Sequence, residues 1–138
     1  MAIIMGGSSF TSLTPNSQIN VNQGLIFPVY FTINQVEPIN GTNCTATIHL
    51  SGSFNYNPIT HAVTNVQINA PTVTVNCGSN VSRVVYPDTP TINFDAHAHV
   101  SQLTFSKTGD GEVDGVLSDS GVISNMISDI NSQIDSQI

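Results

Sequence analysis

Between Asn43 and Tyr56 the chain reads NCTATIHLSGSFNY, and its side chains alternate without a break. Cys44, Ala46, Ile48, Leu50, Gly52, Phe54 and Tyr56 fall on one side, and Thr, His, Ser and Asn residues on the other. Successive strand residues point to opposite faces, so a period of two over this length requires a strand with one buried and one solvated face.

The next run, Ala62 to Cys77, alternates twice with a change of phase: Val66, Ile68 and Ala70, then Val73, Val75 and Cys77. Pro71 stands at the break, and proline inside a strand marks a bulge or an edge. Folding the two runs about the turn-like Asn57-Pro58-Ile59-Thr60-His61 pairs Phe54 with Val66, Gly52 with Ile68 and Leu50 with Ala70. One extra residue at Pro71 then pairs Ile48 with Val73, Ala46 with Val75, and Cys44 with Cys77. The apolar faces alone set this register, yet it brings the only two cysteines within disulfide reach. A Cys44–Cys77 contact is predicted: a disulfide in an oxidising compartment, two buried thiols in a reducing one.

A third run, Thr91 to Ser106, reads as another long strand, with Ile92, Phe94, Ala96, Ala98 and Val100 on one face and a phase shift near Ser101-Gln102. Strands this long with phase breaks imply a strongly curved sheet. Upstream, Gln18–Asn22 and Leu25–Asn34 are strand-like, with Pro28 pointing to an edge; Val84–Tyr86 and Val113–Leu117 are short strand candidates. After LSDSG the period changes. Val122, Ile123, Met126, Ile127, Ile130, Ile134 and Ile138 recur at helical spacing, and Ser118, Asp119 or Ser120 can serve as N-cap. The expected fold is α+β: one domain over 1–138, strand-rich over 11–117, in which a long, curved antiparallel sheet wraps an amphipathic helix at about 119–138. The alternative is a helix packed on another chain's helix.

Charge limits the partners. Arg83 and Lys107 are the only basic residues in a chain of net charge −7, so no cluster exists to neutralise phosphates, and nucleic acid and anionic membranes are disfavoured. Charged residues make up only 8%, and solubility rests on hydroxyls and amides. No apolar run is long enough to span a membrane as a helix. The start, MAIIMGGSSF, lacks the basic and apolar regions of a secretory signal. An extracellular or cell-surface setting is nonetheless expected over a cytoplasmic one: either the sequence begins at a processed or engineered end, or export follows another route. The sequons at Asn40, Asn43 and Asn80 would matter only in a eukaryotic secretory pathway.

Two short motifs bear on chemistry. In DAHAH, Asp95, His97 and His99 would share the outer face of the third strand, where His-x-His with a carboxylate suits zinc. The bland reading is a solvated polar face. A similar Asp-x-His-x-His opens the first barrel strand of amidohydrolase-type metal enzymes, but too little chain follows His99 for a (β/α) barrel. Asp110-Gly-Glu-Val-Asp-Gly115 has the spacing of half a calcium loop, although Glu112 departs from it and Gly121 stands where the bidentate Glu belongs; a hairpin turn on Gly109-Asp110-Gly111 explains it equally. No nucleophile elbow or phosphate loop is present. A non-enzymatic protein without a cofactor is expected.

The segment GSFNYNPITHAVTNVQINAPTV, a Tyr-Asn-Pro turn followed by an alternating strand, together with the long helix, is similar to a tubular lipid-binding (TULIP-type) module of the kind carried by proteins of clostridial toxin loci. The resemblance covers Asn43 to the end as a pattern. It implies an apolar ligand between sheet and helix, lined by Phe54, Ile68, Phe94, Ile123, Ile127 and Ile130, or a role in a toxin-type assembly, with a protein partner or self-association. Two other classes fit the residues: a cell-surface, virion or carbohydrate-facing recognition module using the hydroxyl-rich outer faces, and a β-hairpin at Asn43–Cys77 that inserts into membranes.

Overall fold

The computed structural model describes residues 25–138, in which seven strands precede two helices. The strands form an antiparallel five-stranded sheet and a separate two-stranded hairpin, an α+β arrangement as expected. The expected strand at Gln18–Asn22 lies outside the described residues.

Strand β1 (Phe27–Pro38) pairs along its whole length with β2 (Cys44–Tyr56), and Pro28 sits, as predicted, on an edge strand. Val29, Phe31 and Ile33 point inward against the alternating apolar face of β2. Asn57 then turns the chain: its side-chain oxygen accepts from the amides of Ile59 and Thr60, and His61 takes a positive φ of 63°. Strands β3 (Val63–Ile68) and β4 (Thr72–Cys77) follow, both paired with β2. Between them the Asn69 amide donates to the Ser51 carbonyl and Pro71 is buried, so β3 and β4 are one strand broken where the phase changes.

Four of the six predicted pairs are present: Gly52 with Ile68, Ile48 with Val73, Ala46 with Val75, and Cys44 with Cys77. The cysteines form a disulfide with Cα atoms 4.1 Å apart. Two pairs need correction. The ladder slips between Ser53 and Asn55, where Asn65 adopts φ 53°, and this bulge turns Val66 out to 42% exposure instead of opposing Phe54. Ala70 is exposed and outside the ladder, because Asn69 occupies the edge of β2 at Ser51. Gly52 is required where it stands: a Cβ there would lie 2.6 Å from the Gln67 carbonyl oxygen and 2.9 Å from both Ile68 and Phe31.

Strand β5 (Asn80–Val85) closes the far side of the sheet against β4. The third long run is not one strand, as predicted, but the hairpin β6 (Thr91–Phe94) and β7 (Val100–Thr104), with DAHAH as its turn. Nor is Val113–Leu117 a strand, or Gly109–Gly111 a hairpin turn. Helix α1 (Gly111–Leu117) runs there, its first turn capped by the Asp110 carboxylate at the Val113 amide. Val113, Val116 and Leu117 fall on its buried side.

Helix α2 (Ser120–Gln137) matches its predicted range closely, with Asp119 as the N-cap accepting from the amides of Gly121 and Val122. Val122, Met126, Ile130 and Ile134 enter the core, each worth roughly 1.5–3 kcal/mol when fully buried. That core is one cluster drawn from both sheets and both helices.

Both flanks of α2 are tied to strand backbone. The side-chain amide of Gln133 accepts from the Thr32 N–H at 2.9 Å and donates to the Thr32 carbonyl at 2.8 Å. Gln137 does the same with Tyr30, and on the other flank Asn131 does the same with Val100. Each primary amide thus stands where a neighbouring strand's peptide group would. The spacings agree: four helical residues rise about 6 Å and two strand residues span about 6.8 Å. At Tyr30 and Thr32 the outer edge of β1, which no other described strand pairs, is thereby satisfied by side chains, at a place where an open edge would invite another strand.

Candidate functional site

DAHAH is a tight turn because its backbone leaves the strand region. Ala98 has φ 62°, and the Asp95 Oδ1 atom accepts from the amides of His97 at 2.8 Å and His99 at 3.1 Å. Those two hydrogen bonds hold the Asp95 carboxyl below its usual range. His99 leaves the turn to meet the C-terminal part of α2, donating from Nε2 to Asp135 Oδ1 at 2.6 Å. Asp95, His97 and His99 are therefore neighbours, but one carboxylate organises backbone and one imidazole ties the hairpin to the helix. Among the described residues, no three His, Cys, Asp or Glu side chains form a group that could hold a metal ion.

The calcium-like segment is likewise occupied with local structure. Arg83 binds Asp110 through Nε at 2.6 Å and Glu112 through Nη2 at 2.8 Å. The Arg83 hydrogen bond pulls the Asp110 carboxyl below its ordinary value, and the two acids push the guanidinium further up. Asp114 accepts from the Thr108 hydroxyl and amide and from the Gly109 amide, which lowers its carboxyl too. Beside this cap lies an open cleft of about 500 Å³ with Glu37, Asn40, Glu112, Asp119 and Asn125 over Ile39, Val116 and Val122. A smaller one of about 270 Å³ lies between Phe105, Lys107 and Leu117.

Neither cleft is lined by the six residues expected to hold an apolar ligand. Phe54 and Ile130 are in the core at 1% and 0% exposure, and the Phe54 ring lies 4.9 Å from that of Phe94. Ile68, Phe94, Ile123 and Ile127 pack around that core and remain partly exposed.

The outward side of the five-stranded sheet has a different chemistry. Its cross-strand rows run Tyr30–Ser53–Gln67, Asn34–His49–Thr72, Val36–Thr47–Thr74–Val84 and Pro38–Thr45–Asn76–Val81. His49 Nδ1 meets Asn34 Oδ1 at 2.8 Å. The outward positions of β1, β2, β4 and β5 carry no Asp, Glu, Lys or Arg: Glu37 lies opposite the buried Ala46, and Arg83 opposite the buried Val75. Tyr30 is 61% exposed on β1, and Tyr86, which directly follows the end of β5, is 73% exposed. The sequence reading placed hydroxyls on this face without singling out the two tyrosines. The signal was present in the alternation, since Val29, Phe31 and Ile33 facing inward oblige Tyr30 to face out.

No family model, curated protein or solved structure matches the chain. No described helix is long and apolar enough to cross a membrane, which leaves strand-based insertion untouched.

Proposed function

We propose that the protein is a non-enzymatic recognition module that meets its partner on the outward face of the five-stranded sheet. The observation that carries this reading is the separation of charge from that face. In a chain of net charge −7, a sheet surface lined by Thr, Ser and Asn with no Asp, Glu, Lys or Arg is suited to a partner that offers hydrogen bonds rather than ions. We assign the module to the outside of a cell or its surface, a setting that the Cys44–Cys77 disulfide fits. We also read the sheet as curving round α2, a reading supported by the bulges at Asn65 and between Val75 and Asn76.

A second reading, an apolar ligand held as in the tubular lipid-binding modules the chain resembles, is favoured by the partial exposure of Ile68, Phe94, Ile123 and Ile127. Native mass spectrometry of the desalted protein separates the two. The recognition module is expected to fly at the mass of the chain less two hydrogens, whereas a bound mass that disappears on organic extraction would sink the outward-face reading.

A further inference from the structure

We infer that the outward sheet face binds a neutral polysaccharide, gripped between Tyr30 and Tyr86; the inference rests on the recognition reading above. The face itself selects the ligand class by exclusion. Without cations it offers nothing to phosphates, sulfates or uronates, and without anions nothing to a basic peptide. A second copy of the chain would need an apolar centre to its interface. The centre here is polar, with Thr47, His49, Ser51, Thr72 and Thr74, and the exposed valines Val36, Val81 and Val84 lie towards the two sides.

What remains is an uncharged partner that matches hydroxyls and amides with its own hydroxyls over an extended surface. The two tyrosines add the apolar half of such recognition. A pyranose presents a patch of C–H groups on one face of its ring, and these pack against the electron-rich face of an aromatic side chain. β1 and β5 are three strand spacings apart, about 14 Å, so Tyr30 on β1 and Tyr86 just past the end of β5 stand at opposite sides of the face. A polysaccharide crossing the sheet diagonally would stack on both while passing over His49 and Thr72, where Asn34 already fixes the imidazole.

Affinity electrophoresis tests this with the intact, oxidised protein in native gels containing hydroxyethylcellulose, galactomannan or dextran, with polygalacturonate as the charged control. The expected result is retardation in at least one neutral polymer and none in polygalacturonate. The dissociation constant should rise at least tenfold in Tyr30→Ala, in Tyr86→Ala and in Thr47→Asp, the last placing a charge mid-face. Unchanged melting temperatures for the two tyrosine variants show that the fold is intact, and Tyr30→Phe, which keeps the ring, should retain binding. No retardation in any neutral gel, retardation only by polygalacturonate, or binding indifferent to both tyrosines would each overturn the inference. A failed gel with an unliganded native mass leaves the outward-face module standing with another class of partner; a failed gel with an extractable apolar mass removes both.

Discussion

Replacing both cysteines, Cys44→Ser with Cys77→Ser, should cost about 3.7 kcal/mol at 25 °C. The figure comes from the chain-entropy treatment of a cross-link closing a loop of the 33-residue separation. The bond joins the ends of β2 and β4, whose ladder holds these strands together in the folded state, so its main effect is on the unfolded chain. With an unfolding entropy of about 2.1 cal/mol/K per residue over the described residues 25–138, the melting temperature should fall by roughly 15 °C. Urea unfolding of wild type and double variant, followed by circular dichroism, measures the difference. The m-value should rise in the variant because its unfolded chain is freer to expand. A loss under about 1 kcal/mol with an unchanged m-value would refute the reasoning, since the cross-link would then restrain nothing the unfolded chain did not already restrain.

Three further outcomes are expected. Gln133→Ala with Gln137→Ala removes four hydrogen bonds to the edge of β1, and at the low end of about 0.5–1.5 kcal/mol each should cost roughly 2 kcal/mol; light scattering should then find concentration-dependent association through the opened edge, and a strictly monomer-like profile relative to wild type would contradict it. Gly52→Ala should lose roughly 1–3 kcal/mol in chemical denaturation, because its methyl group meets the Gln67 backbone and not just movable side chains. Asp95, Asp110 and Asp114 titrate lower in the fold than in the unfolded chain, so the stability they contribute is complete above the ordinary carboxylate range and is lost as pH falls through it; acid titration of Asp110→Asn should show a shallower decline, and an unchanged one would rule that residue out as a contributor.

Legibility varied with how many structures a local pattern can serve. The alternation of β2 admits one interpretation, and its partner's phase break at Pro71 suffices to bring Cys44 opposite Cys77. DAHAH failed that test, because a period of two is also what a short hairpin leaves when its turn residues happen to be Asp, Ala and His. The strand ends where the Asp95 carboxylate takes the amides of His97 and His99 and Ala98 turns to a positive φ, and alanine gives no warning of the latter. Helix α1 is hidden by two glycines in seven residues, each costing about 1 kcal/mol of helix propensity, which the Asp110 cap, the acidic Glu112 and Asp114 of its first turn and its buried Val113, Val116 and Leu117 overcome. Tyr30 is readable from the phase of its strand, whereas the place of Tyr86 beside the sheet follows only from the pairing of β5, which ends just before it, with β4.

The glutamine pairs also bear on how the chain reaches this fold. Tyr30 and Gln137 are separated by 107 residues, so almost the whole described chain lies between the first strand and the side chain that completes its edge. During synthesis β1 and β2 can pair early, since they are adjacent in sequence, while the outer edge of β1 waits for the last turn of the last helix. A nascent chain stalled or truncated before Gln133 would present an edge at Tyr30 and Thr32 that no other described residue covers. Such a chain is the species most exposed to strand exchange with its neighbours on a polysome. The risk of misassembly is therefore greatest until Gln133 and Gln137 have been made, and the docking of α2 along β1 is the event that ends it.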